Sequence, residues 1–206
     1  LEATVYSENT APSGDATGAR ANNCDFELRN AVLDAVAAGG QAFGVNHAQT
    51  DTVTPANLTI ADVESRAVSG GSSSSALAVT GSAPAAGTFG RVTELNARST
   101  GGSESFSSWG VLHSANGEVQ YRGLSINVGG PTNFMYGIQT SGNGVPRFDD
   151  VVIDAIGEAE STIFGAEFLT DDTTLTNARV TAINFDNGTG HDAVGVKANG
   201  ASGVSF

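Results

Sequence analysis

An all-β, parallel β-helical solenoid of about six coils is the fold this sequence predicts, and three observations predict it. First, a nine-residue pattern recurs six times: LRNAVLDAV (28–36), IADVESRAV (60–68), VTELNARST (92–100), YRGLSINVG (121–129), FDDVVIDAI (148–156) and LTNARVTAI (175–183). The starts lie 32, 32, 29, 27 and 27 residues apart. Second, a shorter signature trails each copy: FGVN (43–46), LAVT (77–80), WGVL (109–112), YGIQ (136–139), FGAE (164–167) and VGVK (194–197). Third, the composition is rich in small residues, with 27 Gly and 15% charged residues in 206. Two linked signatures at one period of 27–34 residues mark a repeat architecture in which each repeat stacks on the last.

Within the nine-residue pattern, positions 1, 4, 6 and 8 are apolar or small, as in Phe148, Val151, Ile153 and Ala155. Positions 4, 6 and 8 alternate with a period of two, which buries one face of a strand. Position 3 holds Asn30, Asp62, Glu94, Gly123, Asp150 and Asn177, mostly short polar residues or Gly suited to a bend between strands. The trailing signature supplies a second strand, and all five prolines (12, 55, 84, 131, 146) fall outside both windows, where no ladder donor is lost. A rise of one strand spacing per coil gives a rod of about 29 Å. Residues 1–25 read as a lead-in segment and 26–206 as the solenoid. Over 23–40 a helix competes, with Asn23 as N-cap and Gly39-Gly40 as terminator. The match of AVLDAV (31–36) to VVIDAI (151–156) favours a strand there.

The aromatic or apolar residues before each Gly of the second signature are Phe43, Leu77, Trp109, Tyr136, Phe164 and Val194. They share parity with the aliphatic residues two positions later (Val45, Val79, Val111, Ile138, Ala166 and Val196), so this column is expected to face the core. An outward aromatic stripe is the alternative, in which Trp109 and Tyr136 are glycan-binding candidates.

The net charge of −13 argues against nucleic acid or an anionic membrane as partner. No stretch approaches the length of a membrane span. Cys24 is the single cysteine, expected as a buried thiol rather than an intermolecular link.

The repeats resemble the right-handed parallel β-helix, or pectin-lyase-like, superfamily over about 26–206. Leu175-Thr176-Asn177-Ala178-Arg179-Val180-Thr181-Ala182 and Val194-Gly195-Val196 carry the resemblance. More narrowly they resemble repeats of bacterial surface proteins and phage tail fibres. The resemblance implies a secreted, cell-surface or virion location, and a structural or adhesive rod presenting a face to a glycan or protein. The superfamily also contains lyases and glycoside hydrolases, so a polysaccharide-degrading enzyme of the tailspike type is the alternative. End-to-end assembly through an open C-terminal coil is a further one.

Candidate residues follow from these readings. Under the enzyme reading Asp149, Asp150 and Asp154 supply the paired carboxylates, although they also fit as solvated face and bend residues. Glu158, Glu160 and Gly190-His191-Asp192 are weaker echoes of such sites. Arg66 and Arg98 stack in the outward column at position 7, with Arg122 nearby, and guanidinium groups clamp carboxylated sugars. No cofactor is expected; calcium at Asp171 and Asp172 is the one candidate. His47 and His113 fall at the same place two coils apart, too far for one metal to bridge.

Overall fold

The computed structural model describes residues 3–51, 54–81, 87–102, 106–157, 161–185, 192–199, 201 and 203–206. Glu158, Glu160, Pro84 and His191 lie outside them. Among the described residues every regular element is a strand. The strands are β1 (Ala3–Asn9), β2 (Ala16–Asn22), β3 (Phe26–Ala37), β4 (Ala42–Gln49), β5 (Ala56–Ser69), β6 (Ser74–Gly81) and β7 (Thr88–Thr100). They continue with β8 (Ser107–Ser114), β9 (Val119–Gly130), β10 (Phe134–Thr140), β11 (Arg147–Gly157), β12 (Thr162–Phe168), β13 (Thr174–Asn184) and β14 (Ala193–Ala198). Odd-numbered strands form one seven-stranded sheet and even-numbered strands another, each in sequence order. All pairings are parallel. The result is the parallel β-solenoid that the repeats predict.

The nine-residue pattern is the odd sheet in register. Leu33 pairs with Ser65, Ser65 with Ala97, Ala97 with Ile126, Ile126 with Ile153 and Ile153 with Val180. This position-6 column lies in the core, where Leu33, Ile126 and Ile153 are each at most 2% exposed. The bend column is also real. Asn30, Asp62, Glu94, Gly123, Asp150 and Asn177 all have left-handed backbones, with φ between 48° and 67°. One such residue per strand turns the chain and reverses which parity faces inward. That is why position 1 and positions 4, 6 and 8 can all be buried. Asn and Asp tolerate this conformation through local hydrogen bonding, whereas Glu94 adopts it without that advantage.

Within 23–40 the regular element is strand β3, with Asn23 at φ 53° before it, not a capped helix. The stretch expected as a lead-in carries β1 and β2, which pair with β3 and β4 and add a coil before the first recognisable copy. Cys24 is exposed, not buried as expected, because it sits in the short connection between β2 and β3.

The even sheet departs from simple alternation. The signature LAVT (77–80) is two residues out of register with the others: Ser75, not Leu77, pairs with Phe43, and Leu77 pairs with Val45. Leu77 and Val79 mimic the Phe43–Val45 spacing, which misleads a pattern read without register. The aromatic column does not face the core as expected. A Cβ placed on Gly110, Gly137 or Gly165 would run into Ile126, Ile153 or Val180 of the odd sheet. Each of these glycines therefore faces the interior, and the residue after it (Val111, Ile138, Ala166) is also in the core. Two successive inward positions reset the parity. Trp109, Tyr136 and Phe164 consequently stand on the outer face, outside the core cluster that holds Met135 and Ile138.

Candidate functional site

Side chains at positions 5 and 7 of the odd strands project outward on a flat grid. Neighbours along a strand are about 7 Å apart and neighbours across strands about 4.8 Å. Asn96 pairs with Ser125 and Arg98 with Asn127. Asn127 pairs in turn with Asp154. Together with Ile126 these five residues line one shallow, polar concavity. Its electrostatic feature is Arg98. On one side Arg66, its strand neighbour, gives both Asp34 carboxylate oxygens a hydrogen bond, at 2.9 and 2.8 Å. On the other side Arg179 lies 3.7 Å from Asp154. The Arg98 side chain is exposed and, among the described residues, makes no hydrogen bond or ion pair. A guanidinium with its five donors unclaimed is thus ringed by two amides, a hydroxyl and a carboxylate.

The other candidates sit elsewhere on the same sheet. Arg122 is 3.7 Å from Asp149, in a separate concavity with Arg147, Thr174 and Thr176. Asp149 accepts hydrogen bonds from Thr176 Oγ1 and Asn177 Nδ2, both at 2.8 Å. Those two bonds hold its carboxyl below the usual range, and Arg122 adds to the effect. A group so stabilised as a carboxylate is poorly suited to be a general acid. Asp150 occupies the bend column. Asp154 belongs to the Arg98 concavity, so Asp149 and Asp154 open into different sites on opposite sides of the bend. Asp171 and Asp172 are exposed in the turn before β13, with Asp172 at φ 55°. No cluster of three or more His, Cys, Asp or Glu able to hold a metal occurs among the described residues.

On the even sheet the outward rings form a stack. Trp109 and Tyr136 are 6.0 Å apart and 9° from parallel; Tyr136 and Phe164 are 5.3 Å apart and 11° from parallel. Beside it runs a polar chain. Trp109 Nε1 donates to Gln139 Oε1 at 2.7 Å, Gln139 Nε2 donates to Glu167 Oε2 at 2.9 Å, and Lys197 Nζ lies 3.2 Å from Glu167 Oε1. Lys197 also sits 4.8 Å above the Phe164 ring. Burial, with the nearby Glu167 charge, pushes the Tyr136 phenol up to about 12. Tyr136 and Phe164 are only 9% and 7% exposed, so the stack covers its own faces.

His47 and His113 align through Val79, as the pattern predicts, and both are fully buried. His113 Nδ1 shares a 2.8 Å hydrogen bond with the Tyr121 hydroxyl, while its Nε2 has no partner. Burial pushes the His113 imidazole down to about 4 and lowers that of His47. These histidines belong to the packed interior.

Asn96 and Ser125 are site residues that the sequence reading did not single out. The signal was present: position 5 has the same outward parity as position 7. Gln139, Glu167 and Lys197 align in the second signature, but that they share a face with the rings follows only from the glycine parity reset. No family model, no curated protein and no solved structure matches this chain.

Proposed function

We propose that this chain is a non-enzymatic structural and adhesive rod of a secreted surface or fibre protein, and that its odd-sheet face recognises a glycan. Within that reading the chain is a member of the right-handed, pectin-lyase-like class of β-helices. The observation that carries it is the unpaired Arg98 within the grid of Asn96, Ser125, Asn127 and Asp154. Amides and hydroxyls on a flat, rigid sheet suit sugar hydroxyls, and a free guanidinium suits a carboxylate or a ring oxygen. Arg66 and Arg122 already face Asp34 and Asp149 and play a supporting part. Trp109 and Tyr136 stiffen the opposite face instead of stacking on sugar. The separation of Asp149 and Asp154 into two concavities speaks against a hydrolytic pair.

The test is to incubate the protein, with and without calcium, with a panel of neutral and acidic polysaccharides, measuring retention and the products by mass spectrometry. Retention of at least one glycan, weakened by Arg98→Gln and with no oligosaccharide released, is the expected result. Release of oligosaccharides overturns the non-enzymatic reading. Absence of retention across the panel overturns the glycan reading.

A further inference from the structure

Asn-Gly dipeptides occur at 116–117, 143–144, 187–188 and 199–200. Residues 187, 188 and 200 lie outside the described ones, so the structure compares Asn116-Gly117 with Asn143-Gly144. These two stack one coil apart, at the corner where the chain passes from the even to the odd sheet. Asn143 N donates to Asn116 Oδ1 at 3.2 Å, and Val145 N donates to Gly117 O at 2.8 Å. Asn116 is half-buried and held from both neighbouring coils, because its main-chain carbonyl also accepts from Thr88 N at 2.8 Å. The Asn143 side chain is exposed and, among the described residues, makes no hydrogen bond. The Gly144 N–H is likewise unclaimed among them. Packing demands glycine at 144, since a Cβ there would run into the Ala115 carbonyl oxygen and come within 2.9 Å of His113 Nε2.

We propose that Asn143-Gly144 is a self-modification site, at which the folded chain converts asparagine to isoaspartate with water as the only co-reactant. The Asn143 side chain swings from solvent onto the Gly144 nitrogen. That nitrogen gives its proton to solvent and forms a bond to Asn143 Cγ. The Cγ–Nδ2 bond breaks, and the side-chain nitrogen takes up a proton and leaves as ammonia, so a five-membered succinimide remains. Water then opens the ring. Attack at Cγ returns an aspartate; attack at the main-chain carbonyl carbon gives isoaspartate, with the backbone routed through Cβ. Gly144 has no side chain to obstruct the approach, and no hydrogen bond of the Asn143 side chain has to be surrendered first. At Asn116 the Oδ1 or carbonyl bond must open before Cγ can turn, so that pair should react roughly tenfold slower or more. Isoaspartate adds a methylene to the main chain beside Gly144, where the packing has no room for a Cβ. The product therefore carries a new negative charge and a strained corner over His113.

This inference is independent of glycan recognition, since the corner does not include Arg98. The test is to hold the full chain in mildly alkaline buffer, folded and in denaturant, and to follow its peptides by mass spectrometry over time. In denaturant both pairs should gain one mass unit at similar rates, because each asparagine precedes glycine. In the folded chain Asn143 should keep most of its rate while Asn116 slows. Fragmentation should identify isoaspartate as well as aspartate at 143. Asn143→Gln, which lengthens an exposed side chain and disfavours ring closure, should remove the earliest acidic species on ion exchange. The isoaspartyl fraction, separated by its added charge, should unfold at lower denaturant than the parent chain. Folding that slows Asn143 as much as Asn116 overturns the proposal. Aspartate without isoaspartate overturns the cyclic route, and an isoaspartyl chain as stable as the parent overturns the strained corner.

Discussion

The outer faces of the two sheets belong to the same coils yet are built on opposite principles. The odd sheet turns separate charged and amide side chains to solvent, joined in pairs such as Arg66–Asp34 and Arg147–Glu118. The even sheet turns a closed aromatic stack outward and locks it with the Trp109–Gln139–Glu167–Lys197 chain. One face leaves Arg98 and its polar neighbours open to solvent, whereas the other spends its side chains on itself. The difference arises from one small feature. In the odd sheet a left-handed residue before the buried run redirects the strand. In the even sheet an inward glycine followed by an inward aliphatic resets the parity.

The strongest way to break this contrast is Gly137→Ala. The new Cβ would overlap Ile153 Cγ2 and the Gly165 carbonyl oxygen, neither of which can yield without shifting a sheet. We expect a loss of more than about 3 kcal/mol in denaturant unfolding. The same substitution at exposed Gly195, where nothing lies within 4 Å of the added carbon, should cost little.

Acid probes the interior behind the even sheet. An unfolded imidazole titrates near 6.5, whereas His113 in the fold is held down to about 4 by burial. The unfolded chain therefore takes up the proton first as pH falls. This contribution to stability is complete above about pH 6.5, declines as pH drops towards 4 and is level below it, a loss of about 3 kcal/mol. Unfolding curves from pH 7.5 down to 4 check this, and His113→Gln should flatten the slope. Asp149, whose carboxyl is depressed, acts in the same direction in a lower window, below the usual carboxylate range.

Tyr136→Ala removes the middle ring of the outer stack, which has partners on both sides. A loss of about 2 kcal/mol is expected, along with a shift in Trp109 fluorescence. Arg66→Ala on the odd sheet should cost no more than about 0.5 kcal/mol, since the Arg66 side chain is 46% exposed. If Arg66→Ala proved as costly as Tyr136→Ala, the contrast between an open polar face and a self-satisfied face would collapse.

Much of the odd sheet was legible because its pattern is local. Positions 4, 6 and 8 alternate strictly, and the bend column announces itself by Asn, Asp and Gly, so the strand, its register and its outward residues could be read by counting. The Arg66–Arg98 neighbourhood followed directly. What counting missed was which guanidinium remains free. That depends on Asp34 reaching Arg66 across a 32-residue separation, and on Arg179 lying beside Asp154. The even sheet was misread because parity was carried across Gly44, Gly110, Gly137 and Gly165. A glycine has no side chain to declare its direction.

The solenoid, its coil period and the ladders of like residues are legible in the chain alone, because strand periodicity and bend chemistry are properties of short segments. That Trp109, Tyr136 and Phe164 face outward, that β1 and β2 form a further coil, and that the Arg98 side chain is unpaired emerge from the packed molecule alone. Each of these depends on what the facing sheet or the adjacent coil places within a few ångströms, and that contact is made by residues about one repeat away along the chain.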